Sequence, residues 1–334
     1  MKSITIIGGG SWGTALGIMA GRGGHAVRLW SRNADVIASI NGHHVNDVYL
    51  PSFSIPDTVV GTTDLATALS EVELVVLAAP SHATRALLRQ MLPSLRPEMI
   101  LISASKGIEN ESGMRISELV MDEVGAQFKP HFVCLSGPSF AKEVVAGDPT
   151  AIVAASLSEA DSAVVQQELS FENLRIYRNR DVVGTEIGGA VKNVMAIAAG
   201  IVHGLGLGSN SVAALITRGL AEIARFATAQ GARVETLMGL AGMGDLVLTC
   251  TGALSRNRHV GEQLGKGRSL PEILSEMHEV AEGVRTTLAV KQVSDRIGIE
   301  MPVVNEVHRV LYEGKSAAAA ARDLMARPLR EEWS

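Results

Sequence analysis

Few side chains in this sequence could move a proton or hold a charged ligand, and they are widely spaced. Lys192 stands with Asn193 in GAVKNVMAI (189–197), an otherwise apolar helical stretch that Gly188 and Gly189 open to close approach. An ammonium in a partly dry cleft loses hydration, and its pKa falls toward a range useful for proton transfer. An isolated lysine on such a helix more commonly snorkels to solvent. Asp245, in AGMGDL (241–246), could hydrogen-bond a lysine and aim it at a substrate, or simply cap a glycine-rich turn. Arg256 and Asn257, flanked by Ser255 and Arg258, read as a phosphate clamp in a loop or as an ordinary polar loop. Lys106 follows one apolar run, and Gly137, Pro138, Ser139 and Phe140 follow another. Each alone suits an ordinary loop. Together they put a cation and hydroxyl donors at one edge of a sheet.

A second kind of chemistry is written in ITIIGGGSWGTALGIMA (4–20). An apolar run ends in Gly8, and Gly8, Gly10 and Gly13 stand in G-x-G-x-x-G register before an apolar helical pattern. Strand, glycine turn and helix in that order predict a dinucleotide site. Gly8 permits the turn, Gly10 lets backbone approach a pyrophosphate, and Gly13 lets the helix pack on the strand. The helix N-terminus then offers N–H groups and a positive dipole end to the phosphates. The next strand, Val27–Trp30, ends in Ser31, Arg32 and Asn33 rather than in an acid. A carboxylate there would repel a 2′-phosphate, whereas Arg32 and Ser31 could bind one. The cofactor expected is therefore NADP, with NAD also possible; the other reading of Arg32 is a solvated surface arginine.

These groups need a scaffold. In the first half, short apolar runs (Ile4–Ile7, Val27–Trp30, Leu74–Ala79, Met99–Ser103, Phe132–Leu135, Ile152–Ala155, Leu174–Tyr177) alternate with helical patterns. That alternation predicts βαβ units and an α/β, Rossmann-like, doubly wound, mostly parallel sheet, with ligands beyond the carboxyl ends of its strands. After about Arg180 strand signals stop, and an all-helical C-terminal domain is expected with helices near 183–202, 212–230, 271–277, 284–297, 303–312 and 317–326. The expected division is a dinucleotide-binding domain over residues 1–180 and a helical substrate-binding and catalytic domain over 181–334.

Composition narrows the function. With 334 residues, 46% apolar content and a net charge of −5, the chain shows no basic run and no nucleic-acid signature. The 2 cysteines, Cys134 and Cys250, form no disulfide or zinc framework, and the histidines show no metal-ligand spacing. No metal is expected. The first strand begins at once, leaving no room for a signal peptide, and the most apolar helical stretch carries Glu186, Lys192 and His203. No membrane span is expected; the location expected is cytoplasmic.

Seven motifs occur in order: GGGSWGTA (8–15), SKGIE (105–109), SGPSFAKEV (136–144), GAVKNVMAI (189–197), AALITRG (213–219), GMGDLVLTC (242–250) and SRNR (255–258). Taken together they resemble the bacterial NAD(P)-dependent glycerol-3-phosphate dehydrogenase family, from Ile4 to about Glu313. The resemblance implies reversible reduction of dihydroxyacetone phosphate to sn-glycerol 3-phosphate, feeding phospholipid synthesis. It implies that Lys192 is the catalytic lysine and that Asp245 and Lys106 contact substrate or orient it. Arg256 and Asn257, with Ser255, match the substrate-phosphate binders, and Gly137 and Ser139 match substrate contacts. Ser11, Trp12, Arg32, Lys106, Ala141, Arg256, Val280 and Glu282 match cofactor contacts, beside Gly8, Gly10 and Gly13. The apolar helical half makes a homodimer the expected assembly.

One stretch departs from the family pattern. Before AALITRG the family often carries Asp-Asn-x-Lys, where this chain has Ser209, Asn210, Ser211 and Val212. Two other readings share the two-domain plan: a 3-hydroxyacid dehydrogenase or ketopantoate reductase, which act on carboxylates, and a non-catalytic NADPH-binding sensor. The loop at Ser255–Arg258 and the GMGD segment argue against the first. An intact Lys192 and Asp245 argue against the second.

Overall fold

The computed structural model describes residues 2–277, 280–329 and 331–332. Eight strands form one sheet: β1 (Ser3–Ile7), β2 (Ala26–Trp30), β3 (Val59–Thr62), β4 (Leu74–Leu77), β5 (Ile100–Ser103), β6 (His131–Ser136), β7 (Thr150–Ala155) and β8 (Leu174–Asn179). Their order is β3-β2-β1-β4-β5-β6-β7-β8. Every neighbouring pair is parallel except β6 and β7. The sheet is thus doubly wound and mostly parallel, as the alternating pattern predicts. β4 and β5 are buried along their whole length, which is why they read as unbroken apolar runs. β3 has no counterpart among the expected strands; it is four residues long and contains Gly61.

Seven helices accompany the sheet: α1 (Ser11–Arg22), α2 (Ala34–His43), α3 (Leu65–Leu69), α4 (Thr84–Met91), α5 (Ile116–Val124), α6 (Ala141–Ala146) and α7 (Glu159–Leu169). After β8 the described chain is helical: α8 (Val182–Gly204), α9 (Ser209–Thr228), α10 (Val234–Leu237), α11 (Asp245–Thr251), α12 (Arg256–Gly265), α13 (Leu270–Ser275), α14 (Glu282–Ile297), α15 (Pro302–Tyr312) and α16 (Ala317–Met325). α8 is the axis of this half. Its N-cap is Asp181, whose carboxylate accepts the Gly184 N–H at 2.8 Å. Nearly every residue from Val182 to Ile201 is buried, and α9, α11, α12 and α14 pack around it. It is long and apolar enough to cross a membrane, yet 83% of its apolar window is buried inside the protein. An all-round apolar helix at the centre of a bundle needs no other explanation. Glycine makes the tightest crossing possible: a Cβ on Gly261 of α12 would lie 1.9 Å from the Ile197 carbonyl oxygen of α8.

Two expected loops are not loops. Asp245 is the first residue of α11 and follows a π-helical turn over Leu240–Gly244, so it does not cap a glycine turn. Ser255 is the N-cap of α12 and Arg256, Asn257 and Arg258 form its first turn. Ser209–Val212, where the family pattern is broken, begins α9.

Candidate active site

Lys192 does not snorkel. It sits about midway along the buried stretch of α8 and is 7% exposed. Its Nζ donates to Asp245 Oδ1 at 2.5 Å. The other carboxylate oxygen, Oδ2, accepts from Lys106 Nζ at 2.7 Å, and Lys106 Nζ also donates to the Gly137 carbonyl at 3.0 Å. One carboxylate therefore joins the carboxyl ends of β5 and β6 to α8 and α11. Asp245 is 1% exposed, so the three charges are held where water screens them little.

The local charge is two ammoniums against one carboxylate. Burial pulls Lys192 down from the usual lysine range to about 8, Asp245 resists that fall, and the charge of Lys106 adds to it. An ammonium near that value is mostly protonated at neutral pH and can still give up its proton. Beyond it, Lys192 Nζ reaches Thr249 Oγ1 at 3.5 Å, and Thr249 Oγ1 lies 3.5 Å from Ser255 Oγ. A line of polar groups thus runs from the lysine to the N-terminus of α12, where Ser255 Oγ accepts the Arg258 N–H at 3.2 Å. Asn257 Oδ1 accepts the Gly283 N–H at 2.9 Å, tying α12 to the start of α14, while Arg256 between them is exposed. A capped helix start with an arginine at its first position is a ready anion site. Ser139 joins the cluster only indirectly: its Oγ turns back to the Gly137 carbonyl at 3.1 Å.

The glycine turn follows β1, two strands from β5 along the same sheet edge. Gly8 has φ +132°, and a Cβ there would stand 2.7 Å from the Ala78 carbonyl carbon beyond β4. A Cβ on Gly13 would be 2.0 Å from the Gly8 carbonyl oxygen. Gly10 is different: a Cβ there meets no protein atom within 4 Å. The protein itself does not require that glycine, so the open space in front of it fits a ligand's close approach. Gly10 is the N-cap of α1 and offers no side chain to its first N–H groups, which suits a phosphate cradle. Ser11 Oγ donates to the Tyr49 carbonyl at 2.8 Å, and Trp12 packs on the core beneath the sheet. Arg32 is exposed at the end of β2, whereas Ser31 is buried with its Oγ accepting the Asn33 N–H at 3.2 Å. Ala141 opens α6. Val280 is half-exposed, and Glu282 opens α14 with its carboxylate on Ser81.

Three contributors escaped the sequence reading. Asn46 is fully buried and donates to the Gly9 carbonyl at 2.9 Å and to Thr14 Oγ1 at 2.8 Å, bracing the glycine turn. It lies in an irregular segment with no periodic signal. Thr249 and Ser81 likewise acquire roles only through tertiary contact. The two thiols stand apart from this chemistry: burial pushes Cys250 up to about 12 and Cys134 well above its usual range.

Comparison with known proteins gives one answer along the chain. A family model described as the N-terminus of NAD-dependent glycerol-3-phosphate dehydrogenase matches residues 3–162, and one for its C-terminus matches residues 181–322. A glycerol-3-phosphate dehydrogenase (NAD(P)+) of Koribacter versatilis is 54% identical, over 99% of both chains. The Bacillus subtilis protein of the same name is 45% identical, over 98% of this chain and 95% of its own. The crystal structure of glycerol-3-phosphate dehydrogenase from Coxiella burnetii superposes with a TM-score of 0.94 at 39% identity, covering 98% of this chain and 99% of that one. A ketopantoate reductase from Ralstonia eutropha shares the fold alone, with a TM-score of 0.61 at 15% identity.

Proposed function

The chain belongs to the NAD(P)-dependent glycerol-3-phosphate dehydrogenase family, and from that premise we propose which residues carry the reaction. The enzyme is an oxidoreductase that interconverts dihydroxyacetone phosphate and sn-glycerol 3-phosphate with NADP or NAD. The carboxylate-directed alternatives lose their footing, because full-length relatives at high identity all bear the phosphate-ester name.

The observation that carries the residue assignment is the shared carboxylate: Asp245 holds Lys192 at 2.5 Å and Lys106 at 2.7 Å. When bound, the nicotinamide supplies the hydride for C2 of the ketone, or takes it back in oxidation. Charge then grows on the C2 oxygen, and the Lys192 ammonium both faces that charge and gives it a proton. Lys192 is left as a neutral amine, which Asp245 keeps oriented and which takes the proton back in the reverse direction. Lys106, beside Gly137 and Ser139, adds a second positive charge for the substrate. The first turn of α12, with Ser255, Arg256 and Asn257, anchors the phosphate, so remote binding energy orients the carbonyl. Gly8, Gly10, Gly13, Ser11 and Trp12 cradle the dinucleotide at the start of α1, with Arg256 reaching the cofactor from α12. Ala141, Val280 and Glu282 complete that site, and Arg32 tips the preference toward NADP. The division into residues 1–180 for cofactor and 181–334 for substrate belongs to this reading. So do a homodimer, a cytoplasmic location and a role in phospholipid supply. NADPH oxidation dependent on dihydroxyacetone phosphate, absent with 2-oxoacids, is the expected assay result; turnover of 2-oxoacids instead would overturn it.

A further inference from the structure

One link between the two halves outside the lysine cluster is a carboxylate held at both oxygens. Glu282, at the start of α14, accepts the Ser81 hydroxyl on Oε2 at 2.6 Å and the Ser81 N–H on Oε1 at 3.2 Å. Ser81 is 3% exposed and begins the single 3₁₀ turn Ser81–Ala83 after β4. Ala78 and Ala79, just upstream, are the backbone against which Gly8 packs. The loop after β5 closes the arrangement: a Cβ on Gly107 would lie 2.4 Å from Ser81 Oγ and 3.2 Å from Glu282 Oε2. Gly107 adjoins Lys106 in sequence. Three chain segments from both halves therefore converge on one carboxylate, between the glycine turn and the lysine cluster.

We propose that Ser81 is a positioning residue that clasps the Glu282 carboxylate across the cleft and so sets the affinity for the dinucleotide. The proposal rests on the reading of Glu282 as a cofactor contact. A carboxylate accepts at about four lone-pair sites, and Ser81 occupies two. The remaining sites can serve only donors, which on a dinucleotide are ribose hydroxyls, the adenine amino group and the carboxamide N–H. Without the clasp, Glu282 is a flexible side chain at a helix start, and ordering it on each binding event weakens affinity. The charges around it are mixed. His82, next to Ser81, is held below its usual range by burial first and then by Arg285 and Arg32, while Glu282 and Glu111 oppose the fall.

The test is a double-mutant cycle on the full chain, read by NADPH titration of tryptophan fluorescence and by steady-state kinetics. Ser81→Ala is expected to weaken NADPH about tenfold, the effect of losing a hydrogen bond to a charged group. KM for dihydroxyacetone phosphate stays within about twofold, because the phosphate and carbonyl contacts lie elsewhere. In a Glu282→Ala background, Ser81→Ala adds no further loss, since it acts only through that carboxylate. Ser81→Thr keeps the hydroxyl and is expected to restore most of the affinity. NADPH affinity within twofold of wild type in Ser81→Ala overturns the clasp. So does an equal loss in the Glu282→Ala background, a parallel rise in the ketone KM, or failure of the threonine variant to recover. Should the wild-type protein show no ketone-dependent NADPH oxidation, the functional reading falls rather than the clasp.

Discussion

The two walls of the cleft are built in opposite ways. The sheet wall works largely through backbone: glycine turns at Gly8–Gly13 and Gly137, a carbonyl at Gly137 that receives Lys106, and capless N–H groups at the start of α1. The helical wall works through side chains carried inside helices: Lys192, Asp245, Thr249, Ser255 and Asn257 are all less than one-tenth exposed. A dinucleotide is large and anionic, and backbone N–H groups suit it wherever the chain can come close. A small ketone phosphate needs a proton donor and a fixed charge at chosen points, and side chains supply those. Truncating side chains should therefore be severe on the helical wall and mild on the sheet wall, where adding a Cβ does the damage.

The largest effect expected is from Lys192→Ala, with kcat down on the order of 10³-fold, the worth of a general acid in a preorganised site. NADPH affinity should hold, because Lys192 is not among the residues proposed to hold the dinucleotide. Near-normal turnover would break the contrast outright. The pH profile gives an independent reading, since Lys192 titrates near 8. Ketone reduction needs the ammonium, so its kcat is flat below about pH 8 and falls above it. Alcohol oxidation needs the neutral amine, so it rises toward a plateau above that pH. Identical profiles in both directions would remove Lys192 from the proton transfer.

Next in size is Arg256→Ala. It should raise KM for the ketone phosphate by roughly tenfold to a hundredfold, the loss of a charge-assisted hydrogen bond. An unchanged KM would move the phosphate site away from the start of α12. A paired substitution tests the sheet wall. Gly10→Ala adds a Cβ into open space, so the fold keeps its melting temperature while NADPH weakens about tenfold. Gly13→Ala drives a Cβ to 2.0 Å from the Gly8 carbonyl oxygen, so the fold itself is destabilised, by about 2 kcal/mol. Equal losses of stability in both variants would mean that Gly10 serves packing rather than ligand.

The walls also differed in how far they could be read from residues. Strand periodicity and the glycine register located the sheet edge, because backbone sites need small residues at fixed spacing. β3 was invisible because Gly61 and four residues leave too little pattern. On the helical wall, Lys192 stood out as a charge in an apolar helix, but its neighbours did not reveal their setting. Gly239, Gly242, Gly244 and Gly252 break the 3.6-residue period around Asp245, and a π-helical turn has no such period, so two helix starts read as loops. That error hid a property of the site: at a helix start, Arg256 comes with the N–H groups and positive dipole end of α12. Asn46, Thr249 and Ser81 matter through partners 32 to 201 residues away, which no local pattern records.

Arg32, like Lys106, is a side chain on the backbone wall that the contrast must accommodate. It is exposed at the end of β2, and its neighbour Ser31 is buried with its hydroxyl oxygen accepting the Asn33 N–H. A 2′-phosphate there would meet the guanidinium in solvent, where an ion pair is worth about 1 kcal/mol. The expected effect is correspondingly the smallest: Arg32→Glu should lower the preference for NADPH over NADH about fivefold, with NADH affinity nearly constant. The shift should shrink as salt is raised, because the interaction is screened. If NADPH affinity survives the change, the adenosine phosphate is read without Arg32, and the sheet wall binds its ligand through backbone from end to end. If NADH weakens equally, Arg32 holds something common to both cofactors, and the preference for NADP loses its charged side-chain argument.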